Sequence, residues 1–336
     1  RFMTTTTFKL EYLTNVGFAA DFGGRGFQLP TSMAIRSDGT IFVASRGKPT
    51  TKGSNGIQMV TKDHDFLGQI ATNDSALGGM IWPTDIVLDG DDNIYLSDEK
   101  LHRITKFDRD GNPVGYWGEK GSQPGQFNQP SGLLVQGDYL LVVDSRNNRV
   151  QRYTFDGQYI DQWGRQGSEN GEFDLPWGIC DDSKGDIYVA DWRNDRIQKF
   201  TSEGVFLTVI GQSGSDDGQL NRPAGVAVDE EGNIYVADWG NQRLQVLDSD
   251  GNFLDAHRGA ADLNPWAVEY LASQDDERAA RATYQSVYES DTDDPSEVSA
   301  RMEAYLWDPC SVRLDDDGRV YVLETGRHRF QIFERV

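Results

Sequence analysis

Four aspartates stand at equivalent positions in this 336-residue sequence: Asp98, Asp144, Asp191 and Asp238. Carboxylates that a fold collects around one axis can bind a hard cation such as Ca²⁺, which prefers ~6–8 oxygen ligands. The alternative is structural, because an aspartate also accepts hydrogen bonds from a tight turn that follows it. We favour the structural role for most of these carboxylates and keep Ca²⁺ or another divalent cation as the cofactor hypothesis.

Arginines and tryptophans follow or neighbour these positions, and they are more distinctive than the carboxylates. Indoles and guanidiniums together suit a flat apolar ligand, or one that bears a carboxylate, through packing, cation–π contact and bidentate pairing. Each tryptophan taken singly is equally consistent with bracing adjacent structural units. The predicted ligand-binding set is Arg46, Arg146, Trp177, Trp192, Arg193 and Trp239.

Other catalytic signatures are missing from the sequence. It has no Gly-x-Ser-x-Gly motif and no glycine-rich nucleotide loop between a strand and a helix. Cys310 has no neighbouring base that the sequence identifies, so a small buried residue is the better interpretation. The four histidines lie in different contexts, which favours structural or surface roles.

The elements that position these residues come from an internal repeat of ~40–50 residues, a period typical of propeller blades or solenoids. Asp-Ile-Tyr-Val-Ala-Asp-Trp ends at Trp192, and Asn-Ile-Tyr-Val-Ala-Asp-Trp ends at Trp239. Each unit holds four short β-rich runs separated by acidic glycine turns, which is hairpin chemistry. The sequence therefore predicts an all-β, six-bladed β-propeller of four-stranded antiparallel blades over residues 1–336. Its units open at Pro30, Pro83, Pro130, Pro176, Pro223 and Pro309.

The two ends of the chain predict how the ring closes. The last unit stops after three strands, and residues 8–13 resemble the fourth strand of the other units. We therefore expect the N-terminal strand to pair antiparallel with residues 330–333 and to complete blade six. This closure leaves no blade without its outer strand.

Strand parity places the predicted ligand-binding set on one face, opposite the acidic glycine turns. Two departures from the repeat, residues 47–56 and 259–305, map to the same face. The second reads as a helical insertion between blades five and six, with Asn264-Pro265 and Asp294-Pro-Ser-Glu as helix starts. Its apolar residues include Tyr284, Val287 and Tyr288. We expect a two-helix lid or rim, and the alternative is an acidic excursion packed on the flank.

Pro-x-Gly-(Val/Ile), the Ile-Tyr-Val-Ala-Asp run and the Asn-x-Arg-(Ile/Leu/Val)-Gln stretch together resemble the NHL-repeat propellers. A more distant resemblance is to the peptidyl-hydroxyglycine amidating lyases, whose zinc histidines follow the proline of alternate blades. This chain has Thr84, Trp177 and Cys310 there, so that zinc site is expected to be absent. Arg46-Gly47 is similar to the pair that holds the substrate carboxylate in those lyases.

Two functions remain open at this stage. The first is a module that binds a small molecule, a peptide or a protein through the face with the insertions. The alternative is a lyase or hydrolase with a divalent metal in the central pore and arginine substrate anchors. Propellers host unrelated functions, so the fold does not choose between them.

The charge of −22 disfavours a nucleic-acid partner, because phosphate binding depends on clustered Lys and Arg. No apolar run approaches the ~20 residues that span a bilayer. The N-terminal residues lack the apolar stretch of a secretory signal, so we expect a cytoplasmic location, or a secreted or periplasmic one if a signal was removed. The sequence does not indicate an oligomeric state.

Overall fold

A computed structural model describes residues 8–19, 24–47, 55–71, 79–283 and 292–336. Within these residues, the strands form six antiparallel sheets of four strands, one for each predicted unit. In blades 1–5 the strands of a sheet follow chain order, and in blade 6 the N-terminal strand takes the outer position. The predicted six-bladed β-propeller is confirmed, including the six prolines that open its blades.

The strand bounds follow, from the innermost to the outermost strand of each blade. Blade 1 has Pro30–Ile35, Ile41–Ser45, Gly56–Val60 and Phe66–Ile70; blade 2 has Pro83–Leu88, Ile94–Asp98, Arg103–Phe107 and Pro113–Trp117. Blade 3 has Pro130–Gln136, Tyr139–Asp144, Arg149–Thr154 and Tyr159–Trp163; blade 4 has Pro176–Asp181, Ile187–Asp191, Arg196–Phe200 and Phe206–Ile210. Blade 5 has Pro223–Val228, Ile234–Asp238, Arg243–Leu247 and Phe253–His257; blade 6 has Pro309–Leu314, Val320–Glu324, Arg329–Arg335 and Leu10–Val16.

The ring closes through the N-terminal strand, as predicted. Leu10–Val16 pairs antiparallel with Arg329–Arg335, with Leu10 opposite Arg335 and Val16 opposite Phe330. The pairing therefore extends three residues beyond the predicted strand end at Leu13. Phe8 lies before the strand, where its ring packs 6.3 Å from the ring of Tyr235 in blade 5.

The register identifies the two faces of the propeller. The proline that opens each blade pairs with the residue that ends the second strand, as in Pro176 with Asp191 and Pro223 with Asp238. Both therefore lie on one face, which we call the proline face. The first-to-second and third-to-fourth strand turns lie on the other, which we call the turn face. Short 3₁₀ helices follow the second strands on the proline face at Ser145–Asn147, Trp192–Asn194 and Trp239–Asn241.

Blades pack on one another through apolar side chains on both sheet surfaces. Second strands such as Ile187–Asp191 are buried along their whole length, because each sheet is sandwiched between two others. At the rim, a glycine turn of one blade contacts the last strand of the blade before it. Gly157 lies against Trp117 and Gly204 against Trp163, where any added Cβ would collide with the indole.

The insertion between blades 5 and 6 is helical, as predicted, with three described helices rather than two. They are α1 (Pro265–Ala272), α2 (Asp275–Thr283) and α3 (Pro295–Arg301). Both predicted starts are confirmed, because the Asn264 side chain accepts from the Ala267 amide and Asp294 accepts from Ser296 and Glu297. Ser273 and Gln274 lie between α1 and α2, and they divide the first predicted helix. Tyr284, Val287 and Tyr288 lie outside the described residues.

The insertion splits between the flank and the proline face. Trp266 of α1 is buried at the seam between blades 6 and 1, and its indole N–H donates to the His64 carbonyl at 2.7 Å. It thus supplies at the closure seam an indole like those of Trp117 and Trp163. In contrast, α3 packs beside the 3₁₀ helix at Trp239–Asn241, and Arg327 donates to the Ser299 and Ala300 carbonyls. None of the described helices has the length and apolarity that crossing a bilayer requires.

Candidate ligand site on the proline face

The residues that follow the blade prolines line the mouth of the central channel in five of the six blades: Thr31, Thr84, Trp177, Ala224 and Cys310. The cavity between them is only about 20 Å³, room for about one water molecule. The channel at this level is therefore too narrow for an organic molecule to pass.

Glycines narrow the channel one residue further along three inner strands. Gly132, Gly178 and Gly225 bring the backbones of blades 3–6 together; a Cβ at Gly178 would lie 2.6 Å from the Ala224 carbonyl oxygen. The equivalent residues of blades 6, 1 and 2 are Ser311, Ser32 and Asp85, which fill the remaining space.

Asp85 closes the channel with a polar cluster that sequence reasoning missed. Its carboxylate accepts from the Arg313 guanidinium of blade 6 at 2.7 Å and from the Leu133 amide of blade 3 at 2.8 Å. The Ser32 hydroxyl of blade 1 also donates to it. One buried carboxylate in blade 2 therefore contacts three other blades. No periodic signal marks Asp85, because glycine or serine holds its place elsewhere.

The four aspartates considered as cation ligands are buried and engaged within their own blades. Asp191 accepts from the Asp174 amide at 2.8 Å, from Asn194 at 2.9 Å and from the Arg196 guanidinium at 2.9 Å. Asp144 and Asp238 repeat this pattern, whereas Asp98 accepts mainly from backbone amides. Burial raises the pKa of Asp191, and the facing Arg196 and Asn194 act against that rise. We therefore assign these carboxylates to blade architecture.

The channel mouth does not supply a metal site of the amidating-lyase type. The Thr84 hydroxyl donates to the Pro130 carbonyl at 2.8 Å, and Trp177 offers no ligand atom to a cation. Burial raises the pKa of the Cys310 thiol to about 12, so it is not a ready nucleophile. Among the described residues, no group of three or more His, Cys, Asp or Glu side chains is arranged to hold a metal ion.

Of the predicted arginines, Arg46 is already paired. Its guanidinium lies 2.8 Å from the carboxylate of Glu99, which is largely buried. Burial raises the pKa of Glu99, while Arg46 and Arg146 lower it. The sequence does reveal Glu99 in retrospect, because Glu99 follows Asp98 as Trp192 follows Asp191. Arg46 therefore lacks the free guanidinium that the resemblance to the lyases implied.

Two of the predicted tryptophans come together. The rings of Trp192 and Trp239 have centroids 5.9 Å apart at 47°, and both side chains are half-buried. The guanidinium of Arg222, which sequence reasoning missed, lies 5.0 Å from the centre of the Trp192 ring. Arg222 immediately precedes Pro223, a position that faces the second-strand loop of the blade before it.

Three of the remaining predicted residues lie in blades 3 and 4. Arg193, next to Trp192, is exposed, and Arg146 occupies the same position in blade 3, where its guanidinium donates to Gln129. Trp177 lies at the channel mouth in blade 4. Blades 3–5 thus carry five of the six predicted residues, and Arg46 lies apart in blade 1. Most of the loop expected at 47–56 lies outside the described residues.

The turn face, where the sequence predicts acidic glycine turns, holds the larger cavities. One of about 810 Å³ lies between blades 6, 1 and 2 and is lined by turn residues such as Asp89 and Asp315. A second, of about 570 Å³, lies between blades 5 and 6. Their carboxylates are mostly used locally: Asp89 accepts from Tyr95 at 3.0 Å and Asp315 from Tyr321 at 2.8 Å. These depressions arise from repeated turn geometry.

Comparison with known sequences agrees with the repeat. Residues 173–200, 220–247 and 306–333, in blades 4, 5 and 6, match the NHL repeat model. The chain is thus a six-bladed β-propeller that contains NHL repeats. These matches do not bear on the resemblance to the amidating lyases, which stays a prediction. No curated protein sequence is significantly similar to the chain.

Solved structures share the fold at low identity. Virginiamycin B lyase from Staphylococcus aureus aligns with a TM-score of 0.56 and 13% identity, over 98% of this chain and 100% of that one. A gluconolactonase from Xanthomonas campestris gives 0.58 and 13%, over 98% and 90%. A protein of unknown function from Bacteroides thetaiotaomicron gives 0.63 and 15%, over 97% and 76%. At such identities the similarity shows the fold alone.

Proposed function

We propose that this propeller is a binding module whose ligand sits on the proline face, over blades 3–5 and the channel mouth. The observation that carries the proposal is the Trp192–Trp239 pair with Arg222 over the Trp192 ring. Half-buried indoles beside exposed guanidiniums are the groups that most often anchor ligands and partners. Both indoles remain partly accessible, and they contact each other across the junction of blades 4 and 5.

The position of the insertion supports the same face. Helix α3 packs beside the 3₁₀ helix that contains Trp239, so the added chain borders the aromatic pair. Loops and insertions on a rigid scaffold commonly carry function. The channel is narrow at Trp177, so the site is closed on the side of the channel. A small molecule or a peptide segment therefore binds at the surface of the propeller.

The enzymatic alternative, a lyase or hydrolase with a pore-bound divalent metal, has less support. The carboxylates that would hold the metal are occupied by arginines and amides of their own blades. The lyase and the gluconolactonase named above share the propeller fold at 13% identity, which carries no activity to this chain. We therefore do not derive a reaction for it.

Saturation-transfer NMR with a mixture of aromatic acids, aromatic amides and monosaccharides tests the proposal. Truncating an anchor in a desolvated pocket costs ~2 kcal/mol or more, so Trp192→Ala should weaken any bound fragment by at least about tenfold. Asp316→Asn, an exposed change beside both turn-face cavities, is the control and should change nothing. Fragments that bind the Trp192 variant normally and are lost with Asp316→Asn would contradict the proposal.

A further inference from the structure

The pairing of arginines differs sharply between three exposed residues of blades 3–5 on the proline face and the other described arginines. Most described arginines have a carboxylate within 4.0 Å, as expected for a protein of charge −22; Arg149, Arg196 and Arg243 are buried examples. Three arginines of blades 3–5 have no carboxylate within that distance in the described part of the chain: Arg146, Arg193 and Arg222. All three are exposed on the proline face.

Two of these arginines occupy corresponding places in consecutive blades, and the third lies against the second of those blades. Arg146 and Arg193 are the second residues after the buried aspartates of blades 3 and 4, where the other blades have glycine or lysine. Arg222 stands just before the first strand of blade 5 and lies over Trp192. Two of the three charges thus belong to the residue next to Trp192 in the sequence and to the residue over its ring.

No carboxylate of the described chain neutralises this charge. The buried arginines hold the blades together by pairing with Asp144, Asp191 and Asp238, and Arg46 is neutralised by Glu99. Acidic residues are abundant in this protein, yet none lies within ion-pair distance of these three guanidiniums in the described chain. A guanidinium binds a carboxylate through two parallel hydrogen bonds, and a local positive region attracts anions despite an acidic net charge.

The adjoining indoles narrow the chemistry of the anion. Trp192 and Trp239 present neighbouring, half-buried apolar surfaces beside Arg193 and Arg222. A polyanion is bound by a long track of basic residues, and three arginines on a protein of charge −22 are too few. A small ligand with one carboxylate close to one aromatic ring fits both kinds of group.

We infer that blades 3–5 of the proline face bind a carboxylate-bearing aromatic ligand. Arg193 and Arg222 pair with its carboxylate, and Trp192 and Trp239 pack on its ring. This inference rests on the proposed function, because it names the ligand class of that site. Two sources share the chemistry: a free aromatic acid, or the C-terminal aromatic residue of a peptide.

Calorimetric titration with N-acetyl-L-phenylalanine and its amide separates charge recognition from ring packing. The free acid should bind at least tenfold more tightly than the amide. Arg193→Gln should remove most of that preference and leave the weak binding of the amide, whereas Trp192→Ala should weaken both. The control is Arg109→Gln, which removes one exposed arginine from the turn face and should preserve the preference.

The possible failures are distinguishable. Equal binding of the acid and the amide, with both lost in Trp192→Ala, would overturn the ligand class and leave the proposed function standing. Equal loss of acid binding in Arg109→Gln and Arg193→Gln would reduce the effect to overall charge and also overturn it. Binding of neither probe at millimolar concentration would count against both proposals. Gly-Gly-Phe, which should bind only if the site admits a chain, assigns the source of the carboxylate.

Discussion

The two faces of the propeller are both built from repeated loops, yet they use their polar residues differently. On the turn face, an aspartate caps its own turn and accepts from a tyrosine, as Asp229 does from Tyr235 at 2.9 Å. On the proline face, the repeated aspartate is buried and the residues that follow it vary from blade to blade. Residues that recur in each blade serve the fold. Residues that differ from blade to blade beside a recurring one are the candidates for function.

The larger cavities on the turn face sharpen this comparison. Cavity volume alone would place the site there, between turns such as 36–39 and 315–318. The carboxylates at those turns already have partners in their own blades, so the depression offers few free groups. The proline face has a smaller cavity but leaves the guanidiniums of Arg146, Arg193 and Arg222 without carboxylate partners in the described chain. Charged groups without partners are a better guide to a binding site than cavity volume.

The largest effect that tests this view is expected on the repeated acid of the proline face. Asp238→Ala leaves the Arg243 guanidinium buried without its partner, which costs about 3–5 kcal/mol of stability. Chemical denaturation measures the loss. The same substitution at Asp316 should cost no more than about 0.5 kcal/mol, because that side chain is exposed. Similar small losses for both would mean that the buried aspartates do not hold the blades.

A smaller loss is expected for the repeated acid of the turn face. Asp229→Ala removes the acceptor of the Tyr235 hydroxyl and of the Asn233 amide, which should cost about 1–3 kcal/mol. Adding Tyr235→Phe should recover part of that loss, because no buried hydroxyl is then left unpaired. Thermal unfolding of the single and double variants measures the recovery. No recovery would show that the cost comes from the turn backbone alone.

The smallest predicted effect concerns pH and the junction between blades 2 and 3. His102 accepts from the Gln129 amide through Nδ1 at 3.1 Å, the role that Asn148 plays for Leu175 one blade later. Burial lowers the pKa of His102, and Lys120 and Lys100 act in the same direction. The unfolded chain therefore takes up a proton first as the pH falls below ~6.5.

Stability contributed by neutral His102 is thus present above pH ~6.5 and is lost as the pH falls through the lower pKa of the folded state. His102→Asn keeps the acceptor and removes the titration. Denaturation curves of the variant and the wild type should diverge below pH ~6.5 and run parallel above it. Parallel curves throughout would show that protonation does not disturb this junction.

Much of the fold could be predicted because the same sequence pattern recurs from blade to blade. The prolines, the Ile-Tyr-Val-Ala-Asp runs and the glycine turns recur with fixed spacing, so one blade confirms the next. The same alignment would have exposed Glu99 and Arg222, because Glu99 follows a repeated aspartate and Arg222 precedes a repeated proline. The predicted set consists of aromatic residues and arginines that follow or neighbour the aspartates, and it leaves out Glu99 and Arg222.

The features that could not be predicted lack a repeat. Asp85 joins four blades from a position that is glycine or serine elsewhere, and only the closed ring brings Arg313 to it. Trp266 reaches the closure seam from an insertion that no other blade has. The pairing of Arg46 with Glu99 likewise depends on the distance between two neighbouring blades. Contacts of this kind are set by the ring as a whole.

The central claim is that the proline face is the binding surface, and a crystallographic fragment screen tests it directly because such a screen needs no identified ligand. Crystals soaked with aromatic acids and amides should show fragments over Trp192 and Trp239, with acid groups directed at Arg193 or Arg222. Fragments found instead in the turn-face cavity lined by Asp89 and Asp315, with the tryptophan pair bare and open to solvent, would contradict the claim.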